Sequence, residues 1–202
     1  MIRLYCFPRS GNSREVKLVL SEKGIAYEKV NIRDQSFDKE SPEFKKASPR
    51  GMVPAIVDGD VHMSEAYSIN EYLEGKYPRP ALLPADGPER GQIRGWVMTY
   101  DKRLALKIGL LLIECLLKPK EQQKEETKVK LWEEAVAGMK EADRFLKGKE
   151  FFFGAYSLAD ISMTPHLAAL HRVGKEIPAD CPDLKAWMER VKSRPSFAAT
   201  LD

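Results

Sequence analysis

The sequence predicts an α/β domain followed by an all-α helical-bundle domain. Three observations carry this. Strand-like and helix-like segments alternate up to residue 78. The stretch PRPALLPADGPER, residues 78–90, then holds four prolines, the composition of a connection between domains. Beyond it every apolar pattern has a helical period. The expected domains are residues 1–78 and 91–202, with a linker over 79–90.

Each element has its own signal. Residues 2–7 form a short apolar run and read as a strand. Residues 14–23 set Val16, Val19 and Leu20 on one helical face, and Gly24 stops the helix. Residues 27–32 are strand-like, and residues 37–47 a charged, irregular helix. Residues 53–57 and 61–64 are strands joined by Asp58-Gly59-Asp60, a hairpin turn. Residues 65–77 are helical. The order is β-α-β-α-β-β-α. A helical crossover makes the first two strands parallel, and the hairpin makes the last two antiparallel.

In the second half, Ile93, Trp96, Val97, Tyr100, Leu104, Ile108, Leu111 and Leu112 mark one long helix that Pro119 stops. A helix over about residues 121–146 ends at Gly148. A third starts near Ser157, and a fourth spans residues 182–192 before Pro195. SLAD, from Ser157 to Asp160, is a capping box with Tyr156 and Ile161 spaced as a staple, a folding signal.

The chain has 202 residues, 43% hydrophobic and 31% charged, with a net charge of +3. That is an ordinary globular balance, and it calls for no nucleic-acid partner. Residues 104–117, the most apolar run, are interrupted by Lys107 and Glu114 and are too short to cross a bilayer. The N-terminus lacks the apolar core of a signal peptide. A cytoplasmic protein without membrane contact is expected. Three cysteines, Cys6, Cys115 and Cys181, suit neither a disulfide framework nor a zinc site. Cys6 and Cys115 are expected in the core. His166 and His171, on one predicted helix, have a poor metal spacing, and no metal is expected.

The turn after the first strand is Ser10-Gly11-Asn12-Ser13. Ser10 or Ser13 can cap the helix that follows, and Asn12 with Glu15 makes a capping-box pattern. The element order is that of thioredoxin, in which this turn carries a Cys-x-x-Cys pair. Here hydroxyls stand in that place, so a thiol used there must arrive with the substrate. In GMVPAIV, Val53-Pro54 opens the third strand, where an extended peptide can add as a further strand.

Together these motifs resemble the cytosolic glutathione transferases. LYCFPRSGNSREVKLVLSEKGIAYE resembles that family's first βαβ entry. SPRGMVPAIVDGD resembles its Asn-Pro-x-Gly-x-Val-Pro segment, MSEAYSINEYL its Glu-Ser helix start and YSLADISMTP its second-domain capping motif. The match runs in order along nearly the whole chain. The resemblance implies a thioredoxin-like domain that binds glutathione, a helical domain that binds an electrophile, a homodimer and a role in detoxification. Glutathione is implied as co-substrate, with no further cofactor.

The implied site is as follows. Ser10 matches the hydroxyl of serine-type classes that bonds the glutathione sulfur. Val53 pairs its backbone with the cysteinyl part, and Pro54 matches the cis-proline. Glu65 takes the γ-glutamyl amine, and Lys39 is a partner for the glycyl carboxylate. Three departures stand out. Ala66 replaces a serine, which leaves its backbone N–H for the γ-glutamyl carboxylate. Ser48 replaces an asparagine, with no evident effect. Asn12 after Gly11 resembles the nu-class branch, making Asn12 a second candidate for the sulfur. The second-substrate pocket is expected between the turn and the long helix, with Arg9, Trp96, Tyr100, Arg103 and Leu104 as candidates.

The energetics suffice. A free thiol of pKa about 8.5 is mostly protonated at neutral pH. Lowering it by about two units requires roughly 2.7 kcal/mol of preference for the anion. One hydroxyl bond to a charged sulfur supplies about 1.5–3 kcal/mol, and a helix N-terminus about 0.3–1 kcal/mol. The leading reading is glutathione activation for attack on a small hydrophobic electrophile. The alternatives are a glutathione-dependent disulfide reductase or peroxidase, and a non-catalytic interaction protein of the same fold. A zeta-like cis–trans isomerase is disfavoured, because Gly11-Asn12 replaces that class's second serine and cysteine.

Overall fold

The computed structural model describes residues 1–201. It divides into two compact units, Met1–Leu82 joined by the residues from Pro195 onward, and Leu83–Arg194. The sequence pattern places a linker over residues 79–90 and leaves the last segment with the helical domain. The division falls within that linker, between Leu82 and Leu83, whereas the last segment groups with the first unit.

The first unit contains β1 (Ile2–Cys6), α1 (Gly11–Glu22), β2 (Tyr27–Asn31), α2 (Pro42–Ala47), β3 (Ala55–Asp58), β4 (Val61–Ser64) and α3 (Ala66–Lys76). The sheet order is β2-β1-β3-β4, with β1 and β2 parallel and the other pairs antiparallel. This is the expected thioredoxin-like topology. Neighbouring strand residues face opposite sides. Leu4 and Ile56 pair across β1 and β3 and are fully buried, as are Val16, Val19 and Leu20 of α1 and Ile69 and Leu73 of α3. Tyr5, the next residue of β1, packs instead against Phe44 and Phe37, with ring centroids 5.1 and 6.0 Å away. Residues 37–41 form turns rather than helix. Ser41 caps α2 by accepting from the Phe44 N–H at 3.2 Å, and Pro42 stands in its first turn.

Two tethers in this unit have no sequence signal. Lys23, just past α1, forms a buried ion pair with Glu74 at 2.7 Å and donates to the carbonyls of Tyr77 and Pro80. Glu74 also accepts from the Leu82 N–H. The pair therefore ties α1 and α3 to the departing chain. The second tether is α9 (Pro195–Ala199), which packs on α1. Arg14 donates to the Phe197 carbonyl at 3.1 Å and to Thr200 Oγ1 at 3.3 Å, and Ser196 Oγ donates to Glu22 at 2.5 Å.

The second unit contains α4 (Gly87–Tyr100), a π-helical turn (Asp101–Ala105), α5 (Leu106–Leu116), α6 (Glu125–Leu146), α7 (Leu158–Ala168) and α8 (Pro182–Lys192). The predicted long helix is thus broken by one wide turn. Gly138 of α6 lets Leu104 approach closely: a Cβ there would lie 3.3 Å from Leu104 Cβ. Asp160 is a fully buried hub. It accepts from the N–H groups of Phe152 (3.2 Å) and Ser157 (2.9 Å), from Ser157 Oγ (3.2 Å) and from Trp187 Nε1 (2.8 Å). Among the described residues no helix is long and apolar enough to cross a membrane. Cys6 and Cys181 are buried, whereas Cys115 is only half-buried, contrary to its core assignment.

His166 sits on α7, while His171 falls in the short 3-10 turn that follows. His166 is buried, its Nδ1 has no hydrogen-bond partner, and burial lowers its pKa against the pull of Asp101. A folded-state pKa below the unfolded value means that the unfolded chain binds the extra proton. The stability from neutral His166 is complete above about pH 6.5 and declines as the pH falls below it. His166→Leu is expected to flatten that decline. Urea unfolding of both proteins between pH 7 and 5 checks this, and parallel curves would count against it.

Candidate functional site

The site predicted on the first unit is built from three backbone features. The first is the turn between β1 and α1. Arg9 adopts φ +68°, a left-handed conformation that non-glycine residues seldom take. Ser10 is the N-cap of α1, its Oγ accepting from the Ser13 N–H at 3.3 Å. The capping bond uses an oxygen lone pair, so the hydroxyl proton is not spent on it. No acidic residue occupies the first turn of α1. The positive end of this helix is therefore not neutralised by its own side chains. Asn12 is an exposed residue inside the helix, not its cap, so the capping-box reading of Asn12 and Glu15 is replaced by Ser10 alone.

The second feature is the approach to β3. Val53-Pro54 is cis. The ladder begins at Ala55, which pairs with Tyr5 and Ser64, so Val53 lies just ahead of it. Ser48 holds this approach. Its buried Oγ accepts from the Met52 N–H at 2.8 Å and donates to the Met52 carbonyl at 2.7 Å. Ser48, which carries no evident role in the sequence, thus pins both sides of the residue before Val53. The signal that could have found it is a small hydroxyl residue four positions ahead of a backbone that must be held still.

The third feature is the start of α3. Glu65 is its N-cap, at φ +74° and with no side-chain capping bond. Ala66 is the first helical residue, and this first turn is also free of acids. The Glu65 carboxylate forms an ion pair with the Arg50 guanidinium, a partner that sequence reasoning missed. Lys39 is exposed in the turns before α2.

Two family descriptions match the chain. A glutathione S-transferase N-terminal domain covers residues 4–81, and a glutathione S-transferase C-terminal domain covers residues 100–190. The chain belongs to the glutathione S-transferase family. Glutathione S-transferase Z2 of Arabidopsis thaliana is 40% identical over 89 residues. That match spans 44% of this chain and only 40% of the relative. Glutathione S-transferase 3 of Zea mays is 27% identical over 216 residues, covering 99% of this chain and 93% of the relative. A glutathione transferase from Burkholderia graminis, solved with two glutathione molecules per subunit, superposes with a TM-score of 0.87. It is 25% identical, over 100% of this chain and 87% of that one.

The remaining candidates lie mostly in the helical unit. Trp96 and Tyr100 are buried and stacked, with centroids 3.9 Å apart. With Phe145, Phe152 and Phe153 they line an open groove of about 1110 Å³. Burial pushes the Tyr100 hydroxyl pKa upward. Arg103 is exposed and donates to Glu141 at 3.3 Å. Leu104 is a core residue packed on Gly138 and is not part of that groove's lining.

Proposed function

We propose that this transferase binds glutathione along the backbone ahead of β3 and activates its thiol at Ser10 for attack on a small hydrophobic electrophile. The observation that supports this most is the α1 N-terminus. An N-cap hydroxyl with an uncommitted proton stands at the start of a helix whose first turn has no acids. Such a site favours an anion. The sulfur would accept from Ser10, the γ-glutamyl ammonium would meet Glu65, and the γ-glutamyl carboxylate would meet the Ala66 N–H. Lys39 is the proposed partner of the glycyl carboxylate. The thiolate attacks the electrophilic carbon, the leaving group departs with its electron pair, and solvent takes the thiol proton. The aromatic groove that Trp96 and Tyr100 line in the helical unit supports an apolar second substrate, and Arg9 and Arg103 are proposed cationic contacts for it. A homodimer working in the cytoplasm completes the proposal, and light scattering tests the assembly.

Calorimetry with millimolar glutathione, together with conjugation of a chloronitroarene, tests the reading. Binding with turnover supports it. No binding would leave the interaction-protein reading, and binding with disulfide reduction but no conjugation would favour the reductase.

Glu65→Ala is expected to raise the glutathione KM by about tenfold or more, since a lost charged hydrogen bond costs about 1.5–3 kcal/mol. Turnover at saturating glutathione should change little, because Glu65 would grip the end remote from sulfur. An unchanged KM would remove Glu65 from the site.

A further inference from the structure

The γ-glutamyl end of glutathione is a free amino-acid head, with an ammonium and a carboxylate on one carbon. The proposed site gives the ammonium a full counter-charge in Glu65. It gives the carboxylate only a backbone N–H, since Ala66 carries no hydroxyl. The structure sets a cation beside Glu65. Arg50 pairs with that carboxylate, and both side chains are largely exposed, at 77% and 60%. The loop that carries Arg50 is held at both ends. The Gly51 N–H donates to the Ser48 carbonyl at 2.9 Å, and Ser48 Oγ bonds both backbone groups of Met52. Gly51 takes φ +66°, which only a glycine adopts without strain.

We propose that Arg50 determines specificity for the γ-glutamyl carboxylate. This rests on the glutathione reading above. An adjacent guanidinium and carboxylate are complementary to a zwitterionic head. On binding, the Arg50–Glu65 pair opens around it, guanidinium to carboxylate and Glu65 to ammonium, so one ion pair becomes two. An ion pair between two exposed side chains is weakly held, so little opposes the opening. A guanidinium fork matches a carboxylate with two parallel bonds, which an ammonium cannot do. Arg50 thereby takes the part that a hydroxyl at position 66 would play.

The test is calorimetric titration of the whole protein with two probes. One is glutathione, and the other is 4-aminobutyryl-cysteinyl-glycine, which keeps the amine and lacks the carboxylate. Arg50→Ala is expected to weaken glutathione roughly tenfold and the analogue less than twofold. Arg50→Lys should fall between the parent and Arg50→Ala for glutathione. Adding Ala66→Ser to Arg50→Ala should recover several-fold for glutathione alone. Equal losses for both probes would overturn the assignment. Tighter glutathione binding by Arg50→Ala would also overturn it, showing that Arg50 only competes with the ammonium for Glu65. A parent that binds neither probe would instead defeat the glutathione reading itself.

Discussion

Ser10→Ala is expected to lower kcat/KM for glutathione conjugation near neutral pH by about 10–100-fold, the loss of one hydrogen bond to a charged sulfur. The pKa of bound glutathione should rise in step. Raising the pH toward 9 should restore much of the loss, because solvent then supplies the thiolate. That recovery separates the electrostatic role from the structural one. The same variant also removes the cap of α1, since Ser10 Oγ accepts from the Ser13 N–H. It should therefore lose about 0.5–2 kcal/mol of stability at every pH. Asn12→Ala should do little to either quantity, for Asn12 is exposed and lies within the helix. Ultraviolet titration of the bound thiolate in both variants decides the matter. A normal pKa in Ser10→Ala with a raised one in Asn12→Ala would transfer the role to Asn12 and favour the disulfide-reductase reading.

Asp160→Ala should cause the largest loss of stability, about 3–5 kcal/mol. It strands buried donors on Phe152, Ser157 and Trp187 that have no other access to water. Activity per folded molecule should be retained, because Asp160 serves packing in the helical unit. Asp160→Asn adds a pH test. Burial pushes the carboxyl up to about 6 even though four hydrogen bonds pull it down. A raised folded-state pKa means that the protonated form is favoured in the fold. Its stabilising contribution is complete below about pH 4 and is lost as the pH rises through 6. The asparagine variant has no such loss, so the stability gap to the parent should narrow from pH 4 to 7. Urea midpoints across that range measure it. A gap that widened toward neutral pH would mean that the four donors outweigh the burial.

The local patterns were legible because their causes are local. The apolar run of residues 2–7, the Asp58-Gly59-Asp60 turn and the apolar spacing of Val16, Val19 and Leu20 each reflect a backbone geometry that neighbouring residues impose. The same holds for Ser157 and Asp160, whose capping box forms as spaced. The resemblance points to Ser10, Val53 and Glu65, and all three lie at element boundaries, where backbone groups remain available. Sequence order alone thus determined the α/β unit and the helical unit.

Tertiary structure decided the rest. Which hydroxyl caps α1 depends on the left-handed turn at Arg9, and the residue pattern permits Ser10 and Ser13 equally. Ser48 gains its role only because the chain bends back to place Met52 against it. Arg50 meets Glu65, and Lys23 meets Glu74, across separations that no periodicity encodes. The start of α2 was misplaced because charged residues 37–41 suit a helix and a turn alike, and Ser41 with Pro42 settles the boundary. The segment from Pro195 reads as a tail of the helical half, yet Arg14 and Glu22 of α1 hold it in the first unit. Such contacts form between side chains far apart in the chain, so their partners are selected by the packed fold and not by neighbouring residues.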